Sequence, residues 1–211
     1  MLTVLCVLKS GGGYDAEWVA KLQRAVERHL STPHVFKCLS DVEVPCERIA
    51  LKHDWKGWFS KVELFRPGVI DGPTLTLDLD SVIVDGFDQI ADLPYDFAML
   101  RNLNDPSKAS SAVMWFRKAP HHVYEAFAEN PEHYMGEYAK SNGGVYIGDQ
   151  AWIFDAMDRK VTYFSDEYPR LIRSYRRHCQ NGVPPGCSIV QFGGSLKPSN
   201  VKDQWVKEAW V

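Results

Sequence analysis

One stretch, TLTLDLDSVIVDG from Thr74 to Gly86, constrains the fold of this chain more than any other. Leucine, threonine, valine and isoleucine dominate it, the residue types of a buried strand. Yet it carries Asp78 and Asp80 in its middle. In an extended segment residues i and i+2 point the same way, so the two carboxylates are expected to share a face. Close carboxylates repel, and burial adds to the cost unless a cation lies with them. Hard oxygen ligands of this kind suit Mg²⁺ or Mn²⁺ and leave room for phosphate oxygens. The alternative is a solvated strand end with a structural role only.

The rest of the chain supplies a frame for that strand. TVLCVL predicts a first strand, and SGGGYD, Ser10 to Asp15, a flexible turn after it. Asp15 can cap a helix running to about His29, with Val19, Leu22, Val26 and Leu30 on one face. HVFKCLS predicts a second strand and RIALK a weaker third. GWFSKVELF, Gly57 to Phe65, has helical spacing and stops before Pro67. DFAMLR and SAVMWF read as short strands, and residues 120–140 as a helix interrupted at Pro131. SNGG at residues 141–144 reads as a loop before a helix near Asp149 to Met157. SIVQF, Ser188 to Phe192, is the last predicted strand, with the loop GGSLKPSN behind it. Strands alternating with helices predict an α/β fold, with a Rossmann-like, mostly parallel central sheet flanked by helices. At 211 residues, with no linker or repeat, residues 1–211 are expected to form a single domain. Ligands in such folds bind beyond the carboxyl ends of the strands. The glycine-rich turn and the two aspartates should therefore meet at one edge.

Composition narrows the partners. The net charge of −3 provides no global field for nucleic acid, and none is expected as a partner. RLIRSYRRH, Arg170 to His178, is the one dense basic stretch, and a solvated helix face accounts for it. MLTVLCVLK lacks a basic flank and the length of a signal or membrane span. The five cysteines form no CxxC pair, which fits reduced thiols, and a cytoplasmic location is expected. Among the tryptophans, Trp55, Trp58, Trp115 and Trp152 read as core or rim packing. His121 and His122 open a helix and read as surface or capping residues.

Two reaction classes use such an aspartate pair. DLDSVI satisfies the signature of haloacid-dehalogenase-type phosphatases, in which Asp78 would be the nucleophile and Asp80 the general acid. That family's aspartates follow the first strand of the domain, whereas here a βαβ-like region precedes them. Asp149 and Asp155 are also spaced more widely than its further acidic motif.

The second class is nucleotide-sugar transfer, where a metal held by the carboxylates neutralises a leaving diphosphate. The chain resembles glycosyltransferases of the GT-A fold, particularly the retaining glycogenin-like and galactosyltransferase group and small bacterial and phage relatives. The resemblance rests on motifs in order: the opening strand, glycine-rich turn and Tyr14, then SKVELF, LDLDSVIV, SSAVMWF, GDQAWI and FGGSLKP, with WVKEAW as the tail. It implies a metal-dependent transferase using a nucleotide-diphosphate sugar, UDP-linked, with retention and with Mn²⁺ or Mg²⁺. The acceptor, whether carbohydrate, lipid-linked or protein, is not specified.

Residue by residue, the resemblance implies that Tyr14 stacks on the nucleobase and Lys61 reaches the donor phosphate or sugar. Asp78 would contact ribose or metal, and Asp80 the metal. Ser110 and Ser111 stand where the family often has Asn and a small residue at the donor sugar. Asp149 and Gln150 would lie near sugar and acceptor, where a carboxylate can steady an oxocarbenium-like transition state. Asp149 is also a good helix N-cap. Lys197 would grip the pyrophosphate, with Gly193 and Gly194 allowing close approach. The family's metal-binding His, before or after the Phe of FGGSLKP, is replaced by Gln191 or Gly193. Gln191 is then a weak oxygen ligand, and a non-catalytic nucleotide-sugar-binding relative is the remaining alternative.

Overall fold

A computed structural model describes residues 1–139 and 147–211, so the loop expected at residues 141–144 lies outside the described residues. The first strand, β1 (Leu2–Leu8), is apolar at every position but Thr3 and buried over most of its length. Alternation splits it between two cores. Leu2, Val4, Cys6 and Leu8 face one apolar cluster, and Leu5 faces another. A strand covered on both faces reads as a continuous hydrophobic run.

The helix α1 (Ala16–His29) starts where expected. Asp15 caps it, accepting from the Glu17 amide at 3.0 Å, and Trp18, Val19, Leu22, Ala25 and Val26 form its buried face. β2 (His34–Ser40) and β3 (Glu47–Ala50) follow, then a 3₁₀ segment at Gly57–Phe65. Next come β4 (Thr74–Leu77), β5 (Ser81–Ile83), β6 (Phe97–Arg101) and β7 (Ala109–Phe116). The helices α2 (His122–Glu129), α3 (Pro131–Tyr138) and α4 (Asp149–Ala156) precede β8 (Thr162–Tyr163), β9 (Ile172–Ser174), β10 (Ile189–Gln191) and α5 (Gln204–Ala209).

Among the described residues the main sheet has the order β3-β2-β1-β4-β7-β6-β8. Pairing is parallel throughout except at β7, which runs antiparallel to both β4 and β6. A second sheet, β5-β10-β9, lies apart from it, with β10 antiparallel to β5 and parallel to β9.

Two sequence expectations change here. The run from Thr74 to Val84 is not one strand. Its first half pairs in the main sheet, its second half in the small sheet, and residues 78–80 form the turn between them, closed by the Ser81 amide donating to the Asp78 carbonyl at 3.1 Å. The basic stretch is not a solvated helix face either. Leu171 and Ile172 are buried and residues 172–174 form β9, because β10 needs a second neighbour. Arg170 ahead of this strand is exposed, and beyond it Tyr175–Cys179, a single π-helical turn, exposes Arg176 and Arg177.

The 3₁₀ segment is held by a residue that the sequence hides. Glu63 is 0% exposed, and its carboxylate accepts from the backbone amides of Lys52 and His53 at 2.8–3.0 Å and pairs with Arg66 at 3.1 Å. A buried carboxylate with that many donors is a structural anchor, and removing it strands the donors. Glu63→Ala is expected to lower the unfolding free energy by about 2–4 kcal/mol. Urea denaturation of wild type and variant checks this, and an unchanged midpoint would remove Glu63 from the account.

Candidate functional site

The turn at residues 78–80 follows the carboxyl end of β4, beyond the central strands, as expected for a ligand edge. Because the backbone turns there, the two carboxylates meet different partners instead of sharing a strand face. Asp78 Oδ1 accepts from Lys61 Nζ at 2.6 Å. Asp80 Oδ2 accepts from Lys197 Nζ at 2.6 Å and from the Tyr14 hydroxyl at 2.9 Å. Each negative charge is matched by its own ammonium, which answers the cost of burying the pair.

Lys61 organises one side of the turn. Its ammonium, carried by the anchored 3₁₀ segment, also lies 3.3 Å from Ser111 Oγ and 3.4 Å from Asp149 Oδ2. The Ser111 hydroxyl in turn donates to Asp149 Oδ2 at 2.5 Å. Ser111, on β7, is buried and faces this cluster, while Ser110 Oγ accepts from the Ala112 amide at 3.3 Å. The N-cap of α4 is Gly148, with no side-chain cap bond, and Asp149 is the first helical residue. The capping role expected of Asp149 is thus not taken up. Its carboxylate turns inward, where the helix N-terminus also favours negative charge. Gln150, half-buried, follows it on α4.

Lys197 organises the other side. Its ammonium lies 2.6 Å from the Tyr14 hydroxyl and 5.2 Å from the Tyr14 ring centroid. Tyr14 also packs edge-on against Trp18, with centroids 4.7 Å apart, so it joins the core of α1 and reaches the site with its hydroxyl. The loop that carries Lys197 is tied by Asn200, whose Oδ1 accepts from the Lys197 amide at 2.9 Å and whose Nδ2 donates to the Ser195 carbonyl at 2.8 Å. Gly194 sits at φ +64°, where a side chain is strained, and a Cβ there would come 3.4 Å from the Arg176 guanidinium.

Gln191 lies on β10 opposite Ser81, next to Asp80 in the chain. Its Nε2 donates to Ser81 Oγ at 2.9 Å, and its Oε1 is buried with no hydrogen-bond partner among the described residues. An orphaned buried carbonyl oxygen calls for a missing partner. Among the described residues no three His, Cys, Asp or Glu cluster as a ready-made metal cage. Two carboxylates and an amide oxygen are a hard, all-oxygen set, which fits Mg²⁺ or Mn²⁺ and not a soft metal.

The cluster perturbs its own members. Burial is the largest influence on Asp78 and lifts its carboxyl; Lys61 opposes this, Asp80 and Asp149 add to it, and the net value is about 6. Burial alone would lower the Lys61 ammonium, but Asp149 and Asp78 outweigh it and raise it. Burial and the neighbouring Asp80 push the Tyr14 phenol well up.

A second ion cluster at the same edge carries no local signature in the sequence. Lys9, just past β1, reaches Asp41 at 2.6 Å and Asp54 at 2.8 Å, and the Ser10 amide and hydroxyl donate to Asp41 at 2.8 and 2.7 Å. Burial works to raise Asp41, yet Lys9 and Ser10 prevail and hold its carboxyl at about 2. This fixes the start of the glycine-rich turn that leads to Tyr14. Of the tryptophans, Trp55, Trp115 and Trp152 are core, whereas Trp58 is 50% exposed.

The phosphatase alternative does not fit this frame. Its aspartates should follow the first strand, and here they follow the fourth and lead into a separate small sheet. No protein-family model and no curated protein matches the chain. Solved structures do. The glycosyltransferase GlyE of Streptococcus pneumoniae TIGR4 superposes with a TM-score of 0.64 at 12% identity, covering 99% of this chain. The galactosyltransferase LgtC, in complex with donor and acceptor sugar analogues, gives 0.60 at 12% identity over 93% of this chain and 88% of its own. An active-site mutant of LgtC gives 0.65 at 10% identity, with 98% and 93% covered. The chain spans 59% of the length of GlyE. The fold is that of GT-A glycosyltransferases.

The perturbed aspartate gives a direct test. The folded value of Asp78 lies above the ordinary 3.8, so the fold favours the protonated form. Wild type should therefore lose stability relative to Asp78→Asn as pH rises from about 4 through about 6, with no further change above. Carboxyl ¹³C titration should show a midpoint near 6 for Asp78, moving higher in Lys61→Met because the opposing ammonium is gone. A midpoint near 4 in wild type would contradict a balance in which desolvation of this partly exposed carboxyl outweighs Lys61.

Proposed function

We propose that the protein is a glycosyltransferase that takes a sugar from a nucleotide-diphosphate donor, UDP-linked, and transfers it with retention to an acceptor hydroxyl. The observation that carries this reading is the turn at Asp78 and Asp80, with each carboxylate held by a lysine, at the ligand edge of this fold.

Asp78, Asp80 and the unpartnered Gln191 Oε1 are the groups that would hold a divalent cation, Mn²⁺ or Mg²⁺. Such a cation, when bound, neutralises charge on a leaving diphosphate. The chain's own residues do the rest. Lys197, on the loop braced by Asn200, is an ammonium positioned to pair with diphosphate oxygens, and Gly193 and Gly194 let that backbone approach closely. Tyr14 offers its ring at the nucleobase end and its hydroxyl to Asp80.

On the other side, Lys61 and Ser111 orient the Asp149 carboxylate, which can steady positive charge developing on the donor sugar. Gln150 follows Asp149 at the head of α4 and supplies an amide for sugar hydroxyls. The LgtC mutant that superposes on this chain is an active-site glutamine-to-glutamate change, so a glutamine belongs to the active site of that enzyme. Replacement of the family's metal-binding His by Gln191 predicts weak metal affinity, since a neutral amide oxygen attracts a cation less than an imidazole or carboxylate does.

Thermal unfolding with nucleotide diphosphates tests the reading. UDP with Mn²⁺ should raise the melting temperature of wild type, slow release of sugar from a UDP-sugar should accompany it, and Asp80→Asn should abolish both. If no nucleotide moves the melting point and Asp80→Asn behaves as wild type, the proposal fails. Binding of UDP without any turnover would favour the non-catalytic relative instead.

A further inference from the structure

Trp58 stands apart from the other tryptophans. Among the described residues, the large apolar side chains left exposed are Met1, Val42, Trp58 and Val211, and Trp58 is the aromatic one, half exposed on an ordered element. It sits three residues before Lys61 on the 3₁₀ segment, and residues i and i+3 of a 3₁₀ helix eclipse. The indole is thus stacked above the same face that carries the Lys61 ammonium into the site.

Its position is also fixed from the other side. Gly148 adopts φ +80°, and a Cβ at that residue would fall 2.6 Å from Trp58 Nε1 and 2.7 Å from Cδ1. The glycine is a notch in which the indole lies directly against the backbone, one residue before Asp149. A chain of contacts then runs in order from Trp58 over Gly148 to Asp149, Lys61 and Asp78, and on through the turn to Asp80, Lys197 and Tyr14. Trp58 is at the end of that chain opposite Tyr14 and Lys197.

We infer that Trp58 is the stacking platform for the acceptor, and that the acceptor is a neutral hexopyranoside. The inference rests on the transferase reading above. The C–H face of a pyranose ring is apolar and flat enough to cover an exposed indole, while its hydroxyls need an oxygen acceptor beside that face. Asp149 is the buried carboxylate adjoining the notch. An indole held between an anchored 3₁₀ segment and a glycine loses little freedom on binding, so stacking costs little to organise.

The test uses protein labelled with ¹⁵N-tryptophan, with the Trp58 indole resonance identified by its absence in Trp58→Phe. A panel of methyl hexopyranosides is titrated into the free protein and into protein with UDP and Mn²⁺. Methyl glycosides are expected to move the Trp58 resonance in both, and Trp58→Ala to weaken their binding roughly tenfold while the UDP–Mn²⁺ thermal shift persists. Gly148→Ala, which displaces the indole, should weaken glycoside binding in the same direction. No movement with any glycoside while UDP still stabilises the protein overturns the inference and leaves the transferase reading intact. Movement with a UDP-sugar but with no free glycoside assigns Trp58 to the donor and also overturns it. If UDP does not stabilise the protein, the transferase reading fails, and the acceptor assignment fails with it.

Discussion

Two carboxylates, at positions 78 and 80, cannot leave water together without positive charge beside each. Much of the structure follows from meeting that demand. The two ammonium groups come from either side of the turn in sequence, Lys61 from the 3₁₀ segment before it and Lys197 from the last loop, 17 and 117 residues from their partners. Glu63 fixes the first of these supports and Asn200 the second. The ion pairs therefore join segments that no strand pairing links, and a ligand of the same charge pattern can compete for them.

The turn between the aspartates is also where the chain changes sheets. β4 ends at Leu77 in the main sheet and β5 begins at Ser81 in the small one. Asp78 keeps its amide bonded to the Ala112 carbonyl, at 2.9 Å, while Ser81 already faces Gln191 across the small sheet. A strand that continued straight would place both carboxylates on one face with no separate partners. The change of sheet sends one toward Lys61 and Asp149 and the other toward Lys197 and Tyr14. In the proposed transferase reading, the first cluster would serve the sugar end of a donor and the second its nucleotide end.

Much of this frame was legible in the residues. The Asp15 cap, the buried face of α1 and the interruption at Pro131 follow from local rules that tertiary contacts did not override, whereas at α4 the helix lies where expected but Asp149 leaves the cap for the ion cluster. Tyr14, Lys61, Asp78, Asp80, Ser111, Asp149, Gln191 and Lys197 all lie at one edge, as their motifs and the carboxyl-end rule imply. What was not legible depended on long-range pairing. No local signal tells an unbroken apolar run from two strands in different sheets, because both bury the same residues. The basic stretch hid β9 for a similar reason: its arginines alternate with Leu171, Ile172 and Tyr175, and only pairing with β10 decides which face is covered. Nothing local marks Glu63 as buried, because its burial depends on amides from a loop ten residues earlier. Trp58 could not be separated from the buried tryptophans by type, only by what lies against it.

The central claim is that the turn at residues 78–80 is a cation and diphosphate clamp held ready by two lysines. The most direct measurement is an anomalous difference map from crystals grown with UDP and Mn²⁺. The account predicts a single strong peak within bonding distance of the Asp80 carboxylate, with Lys197 Nζ moved from Asp80 onto the diphosphate. Nucleotide bound elsewhere, or a map without a peak at this turn while Lys61 and Lys197 keep their aspartates, would contradict it.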